Sequence, residues 1–225
     1  ETNRNMLGQK ELEWPEFLRF IELLFLMSTV RVGCSLRAWF EDTETSEFEG
    51  APFRLNKYMS RSRFESIMNA LTYTNVSPPL YKDKFFQIRP LVKAWNEHMS
   101  TTFLPSWVSC LDESMSPWTS RWTCPGWMFV PRKPHPMGNE YHTIACAVSG
   151  ILYQMEMVEG RDKPREVPVQ HDEQGKTAGL LLRLTVPIWA TGKVVVLDSG
   201  FCVLKAITEL HKVGVYSSAL IKKRR

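Results

Sequence analysis

Two short apolar runs constrain this chain more than anything else in it, because each ends in an aspartate. Trp107–Leu111 leads into Asp112, and Val194–Leu197 leads into Asp198. Val194-Val195-Val196-Leu197 has no polar interruption, the pattern of a strand buried on both faces. Neighbouring parallel strands of one sheet would deliver both carboxylates to the same edge. Two carboxylates held close repel one another, and a divalent cation relieves the repulsion. Mg²⁺ and Mn²⁺ prefer such oxygen ligands. Paired cations about 3.5–4 Å apart activate a nucleophile and hold a leaving oxygen in phosphodiester chemistry. The alternative reading is plainer: each aspartate ends a strand or caps the helix that follows.

The surrounding pattern builds a mixed α/β unit. Thr143–Val148 and Ile151–Val158 flank a Ser149-Gly150 turn and read as a hairpin. The polar stretch Gly160–Lys176 reads as a surface loop. Ala178–Val186 reads as a helix with Leu180, Leu181 and Leu184 inward. Phe201–Val213 reads as a second, stopped by Gly214, and Val215–Ile221 as a final strand. Antiparallel strands followed by alternating helix and strand imply a mixed sheet with helices on its faces. Earlier residues read as helical. Pro15 suits a first turn, and Phe17, Phe20, Ile21, Leu24 and Met27 follow helical spacing. Ser62 and Glu65 have capping-box spacing. Ile88, Leu91, Val92, Trp95 and Met99 form a further stripe. The expected organisation is a helical region over 1–104 and an α/β (α+β) region over 105–225.

Charge and cysteine usage narrow the classes. With 28 basic and 24 acidic residues the net charge is +4, which permits a nucleic-acid partner without demanding one. Hydrophobic residues make up 44% of the 225, enough for a real core and against global disorder. Cys34, Cys110, Cys124, Cys146 and Cys202 are scattered and odd in number, against a disulfide framework or a zinc ribbon. Cys110 and Cys146 read as packing residues on core strands. Phe17–Val30 carries Arg19 and Glu22 and is too short to cross a bilayer, so no membrane partner is expected. The chain opens on Glu1 and is read as an excised piece.

Five segments, in order, resemble piggyBac-type transposases. They are Met59-Ser60-Arg61-Ser62-Arg63-Phe64, then Tyr81-Lys82-Asp83-Lys84-Phe85-Phe86-Gln87-Ile88-Arg89-Pro90, then Leu111-Asp112-Glu113-Ser114-Met115. Pro131-Arg132-Lys133-Pro134-His135-Pro136-Met137-Gly138 and Val196-Leu197-Asp198-Ser199-Gly200-Phe201 follow. The resemblance spans nearly the whole chain. It implies an RNase H-like catalytic core with flanking helices, preceded by an all-helical region used for dimerisation and DNA contact. It implies enzymes that cut and join DNA with three metal-binding aspartates. Asp112 matches the first and Asp198 the second. Ser199 stands where the family usually has Asn, and no Asp or Glu occurs after Glu209. The expectation is therefore a transposase fragment or domesticated derivative that binds Mg²⁺ or Mn²⁺ weakly and does not cut DNA by itself.

The DNA-contact candidates are Arg121, Arg132, Lys133 and the terminal run Lys222, Lys223, Arg224, Arg225. Arg121 lies near Trp118 and Trp122 and can place a cation beside a stacking surface; it reads equally as an exposed Arg over an aromatic. Arg132 and Lys133 read as phosphate contacts or as a solvated loop. The terminal run fits phosphate contact or nuclear import, and a nuclear location is expected. His135 and His142 read as loop or satisfied histidines. The rival reading is a non-catalytic DNA- or protein-binding module that keeps the fold, including a host-factor binder without DNA contact.

Overall fold

The structure is a computed structural model and describes residues 2–6, 8–29, 36–40, 54–75, 83–160 and 170–221. The chain divides into two compact units, Glu1–Asn75 and Val76–Arg225. Cys34, the Pro78-Pro79 loop, Tyr81-Lys82 and Lys222–Arg225 lie outside the described residues.

The first unit is helical: α1 (Thr2–Asn5), α2 (Trp14–Thr29), α3 (Leu36–Phe40) and α4 (Arg61–Ala70). The stripe read on α2 turns Phe20 and Leu23 into a core shared with Trp39, Phe40, Phe64 and Ile67. Phe64 sits at its centre, with ring centroids 4.8 Å from Phe20 and 5.3 Å from Phe40. The cap of α4 is Ser60, not Ser62: its hydroxyl accepts the Arg63 N–H at 3.3 Å. Glu65 closes no capping box with Ser62, because the helix already begins at Arg61 and Ser62 lies inside it; Glu65 instead meets Arg61 Nε at 2.8 Å, one helical turn away. Arg63 grips both Glu16 oxygens, at 2.8 and 2.7 Å, and donates to the Lys10 and Glu11 carbonyls. That bidentate grip holds the Glu16 carboxyl below its usual value.

The second unit carries α5 (Arg89–Thr102), β1 (Val108–Pro117), β2 (Met128–Phe129), β3 (Met137–Cys146) and β4 (Leu152–Met157). It continues with α6 (Lys176–Thr185), β5 (Val194–Leu197), α7 (Leu204–Lys212) and β6 (Tyr216–Ala219). The sheet order is β2-β3-β1-β5-β6, with β4 also paired to β3. β1 is antiparallel to β3 and parallel to β5, and β5 is parallel to β6. The sheet is mixed, as the order of elements implied.

Several boundaries move. β1 does not stop at Asp112, because its ladder with β3 continues from Ser109–Cys146 to Pro117–Gly138. β3 accordingly begins at Met137. Gly138 makes this close pairing feasible: its φ is +155°, and a Cβ there would stand 2.0 Å from the Ser116 carbonyl oxygen. α7 begins at Leu204, not Phe201, because Val203 is extended and Phe201 is turned into the core. The helical region was expected to reach 104, yet α5 goes with the sheet. Asn96 acts as an extra strand residue on the β4 edge, its amide donating to the Met155 carbonyl at 2.9 Å and accepting the Met155 N–H at 3.0 Å. Gln154 returns two bonds, to the Asn96 carbonyl and the Ser100 hydroxyl. An exposed sheet edge is thereby covered.

Helices α6 and α7 share one core with the sheet: Leu181, Leu184 and Leu210 join Leu111, Ile144, Val195 and Leu197. β5 is not buried on both faces as its composition suggested. Val195 and Leu197 are buried, whereas Val196 is 40% exposed. Its register partner Cys110 is exposed too, so it is not the packing residue expected; Cys146 is buried.

Arg89, at the start of α5, ties the segment before that helix to the end of β4. It holds both oxygens of buried Asp83 and reaches Glu159 on its other side. The guanidinium keeps the Asp83 carboxyl well below the usual carboxylate range.

Candidate functional site

The parallel β1–β5 ladder runs Val108–Val194, Ser109–Val195, Cys110–Val196, Leu111–Leu197. Asp112 and Asp198 are the next residue on each strand. Alternation places Leu111 and Leu197 in the helix-covered core and Cys110 and Val196 on the open face. One residue beyond the leucines, both aspartates continue the open-face alternation and are exposed. The spatial pairing expected from the two apolar runs is present.

Local chemistry shapes each position. One Asp112 carboxylate oxygen accepts the Glu113 N–H at 2.8 Å, and the Asp112 carbonyl accepts the Thr143 hydroxyl at 3.3 Å. Past β5 the chain turns sharply: the Asp198 carbonyl accepts the Phe201 N–H at 3.0 Å. Phe201 then anchors that turn in the core, its ring edge-on to His142 at 5.6 Å.

On the opposite face of the sheet lies a second set of ionisable groups, centred on Glu113, which sequence reasoning missed. The Asp112-Glu113 dipeptide is its signal, since consecutive strand residues point to opposite faces. Glu113 is register partner of His142, and His142 of Glu156. Lys133 donates to the Glu113 carbonyl at 2.9 Å, and its Nζ stands 3.7 Å from the Glu113 carboxylate. Arg132 lies 3.6 Å from the same carboxylate. Burial, and then the Glu113 charge, push the Glu140 carboxyl up. Burial pulls His142, 3.7 Å from Glu140, down toward its neutral form. Lys133 is thus mostly engaged with protein, whereas the Arg132 side chain is 69% exposed.

Arg121 stands apart from this cluster, its guanidinium 4.3 Å over the exposed Trp122 ring. His135 lines a surface pocket beside Trp118. Lys222, Lys223, Arg224 and Arg225 lie outside the described residues. Among the described residues no cluster of three or more His, Cys, Asp or Glu side chains is arranged to hold a metal. The two aspartates are hard oxygen donors of the kind that suits Mg²⁺ or Mn²⁺, but they make only part of a coordination shell. No described helix is long and apolar enough to cross a membrane.

Aspartates leaving adjacent parallel strands of a mixed sheet, with helices packed against it, define an RNase H-like α/β domain. The chain belongs to the transposase family described as Transposase IS4, whose model matches residues 1–225. Within that family its likeness is to piggyBac-type transposase domains. It is 25% identical over 170 residues to the human PiggyBac transposable element-derived protein 3, covering 76% of this chain and 27% of that protein. The same identity and length relate it to the human chimeric ERCC6-PGBD3 protein, of which it covers 15%. The chain therefore spans about a quarter or less of these relatives. Its fold matches a piggyBac transposase solved as a synaptic complex with hairpin DNA. The TM-score is 0.78 at 17% identity, over 100% of this chain and 47% of that one.

Proposed function

We propose that this chain is a DNA-binding piece of a piggyBac-type transposase or of a domesticated derivative. Asp112 and Asp198 supply two carboxylates of a divalent-cation site. The observation that carries the reading is the Leu111–Leu197 register, which brings both acids to one end of one sheet face. Both acids are hard oxygen donors, so Asp112 and Asp198 would be the residues to hold such a cation. A bound Mg²⁺ or Mn²⁺ would supply Lewis-acid stabilisation to the attacked phosphate. Asp112 and Asp198 would hold it, while Arg121 and Arg132 would neutralise the DNA backbone. The basic run Lys222–Arg225 extends that role and fits nuclear import. A homodimer and a host-protein partner accompany the reading as further proposals, resting on the family resemblance.

Two carboxylates leave most of the coordination shell to water. The reading therefore expects Mn²⁺ binding no tighter than roughly millimolar, and no strand cleavage by residues 1–225 alone. Calorimetry with Mn²⁺ on the wild type and Asp112→Ala, with a salt titration of duplex DNA binding, tests both halves. Binding of Mn²⁺ indifferent to the substitution removes the cation site. Absence of DNA binding at low salt shifts the reading to a protein-interaction module. Metal-dependent nicking lost in Asp198→Ala makes the chain an active enzyme.

A further inference from the structure

Past Leu111, β1 loses its neighbour on one side. The ladder with β5 ends at Leu111–Leu197 and β5 turns away at Asp198, while β1 stays paired with β3 as far as Pro117. Backbone groups of successive strand residues point to opposite sides. The Trp107 carbonyl accepts the Val194 N–H at 2.9 Å and the Val108 carbonyl accepts the Ala147 N–H at 3.1 Å, so the odd-numbered residues of β1 address β5. Glu113 is the first of these to find β5 gone, and its N–H and carbonyl need other partners.

Two side chains take the place of the strand. One Asp112 carboxylate oxygen accepts the Glu113 N–H at 2.8 Å, and the Lys133 ammonium donates to the Glu113 carbonyl at 2.9 Å. The connection between β2 and β3 presents Lys133 for this: the Val130 N–H donates to the Pro136 carbonyl at 2.7 Å, and the Lys133 N–H to the Val130 carbonyl at 3.0 Å. The Lys133 side chain is 22% exposed against 69% for Arg132, although the two cations stand 3.7 and 3.6 Å from the same Glu113 carboxylate. That carboxylate in turn lies against the turn after Asp198, where a Cβ on Gly200 would stand 3.5 Å from Glu113 Oε1.

We infer that Lys133 is a positioning residue for the paired aspartates. It holds the Glu113 peptide, whose N–H aims the Asp112 carboxylate to the β5 side, and its partner Glu113 braces the turn that follows Asp198. The inference rests on the cation-site reading above and deepens it. Groups that orient a metal ligand set metal affinity without touching the metal. Charge alone acts in the opposite sense: an ammonium near two carboxylates opposes an incoming cation, so deleting it would tighten binding. Arg132 separates the two effects, because it brings the same charge to the Glu113 carboxylate while Lys133 holds the carbonyl.

The test uses the 225-residue chain without DNA, read by amide NMR in two ways. In metal-free buffer, hydrogen exchange of the Glu113 N–H reports its bond to Asp112. With Mn²⁺ added, paramagnetic broadening of the Asp112 and Asp198 amides reports the cation. Lys133→Met should speed Glu113 exchange and raise the Mn²⁺ concentration for half-broadening about 10-fold, with the Ile144 and Leu210 amides unshifted. Lys133→Arg still reaches the carbonyl and should restore most of both. Arg132→Met should lower the Mn²⁺ concentration required and keep Glu113 exchange slow. Unaltered Glu113 exchange in Lys133→Met overturns the positioning role, and loss of duplex-DNA binding alongside it makes Lys133 a phosphate contact. Equal weakening of Mn²⁺ binding in Lys133→Met and Arg132→Met overturns it as well, as does loss of the whole fold in Lys133→Met. If Mn²⁺ broadens neither aspartate in the wild type, the cation-site reading falls, and Glu113 exchange in Lys133→Met and Lys133→Arg decides the role of Lys133 by itself.

Discussion

Leu111 and Leu197 are register partners across the parallel β1–β5 ladder, both fully or almost fully buried, and each is followed directly by an aspartate. Burial of the leucines locks the register, because a one-residue slip would turn each strand's buried set toward solvent. The placement of Asp112 beside Asp198 is thus a consequence of core packing, independent of any bond between the acids. Since both acids are exposed, Asp112→Ala and Asp198→Ala should each change unfolding free energy by no more than about 0.5 kcal/mol. Leu111→Ala and Leu197→Ala should each cost about 2–5 kcal/mol. Urea melts of the four variants check this; a large loss for either aspartate variant would mean the acids hold the fold.

Arg89 is the second place where one residue carries much of the unit. Removing it leaves Asp83, whose side chain is 2% exposed, as an unpaired buried charge and releases Glu159 at the end of β4. Arg89→Ala should cost roughly 3 kcal/mol, and Arg89→Lys should recover only part, since an ammonium cannot grip both oxygens of Asp83. Thermal melts of the two variants measure the difference, and equal stability of Arg89→Ala and wild type would contradict it.

The same contact predicts a pH dependence. The folded Asp83 carboxyl lies below its unfolded value, with the Arg89 hydrogen bonds as the largest cause. Its contribution is complete above the unfolded carboxylate value, near pH 4. It is lost as pH falls further, through the folded value, because the unfolded chain then binds more protons. Glu16, lowered by Arg63, adds to the loss in the same acid window. Stability should therefore drop steeply below about pH 4. Asp83→Asn should flatten part of that slope, leaving the part due to Glu16. A slope unchanged in Asp83→Asn would remove Asp83 from the account.

Gly138 joins the end of β1 to the start of β3. With φ at +155° and the Ser116 carbonyl oxygen 2.0 Å from an added Cβ, Gly138→Ala combines an unfavourable conformation with a backbone clash. A loss of about 2–4 kcal/mol is expected, concentrated where β1, β2 and β3 meet. Hydrogen exchange should show faster opening at Trp118 and Asn139 than at Val195 or Leu197. Uniform protection would contradict a local origin.

How far the chain was legible depended on the range of the interaction involved. The α2 stripe, the hairpin at Ser149-Gly150, the β5 run and the α7 stop at Gly214 follow from local periodicity and turn chemistry, and they stand in the structure close to where the residues put them. Asp112 and Asp198 were legible because apolar runs ending in acids are a local pattern. The apolar run ends at Asp112, five residues before β1 does at Pro117, because Glu113–Pro117 holds a single large apolar side chain, Met115; only its partner β3 makes that stretch a strand. Ser60 caps α4 in place of Ser62 because the helix starts one residue before Ser62, leaving the Ser60 hydroxyl to take the Arg63 N–H. Helix α5 read as part of the helical region because nothing in its stripe reveals that Asn96 would meet Met155, 59 residues away. By itself the sequence determined which segments form helices or strands and which residues can carry charge or bind a cation. The tertiary structure decided which strand lies beside which, which face of β5 stays open, and that Lys133 turns back onto Glu113. Those outcomes depend on register, burial and partners distant along the chain, and no window of neighbouring residues contains them.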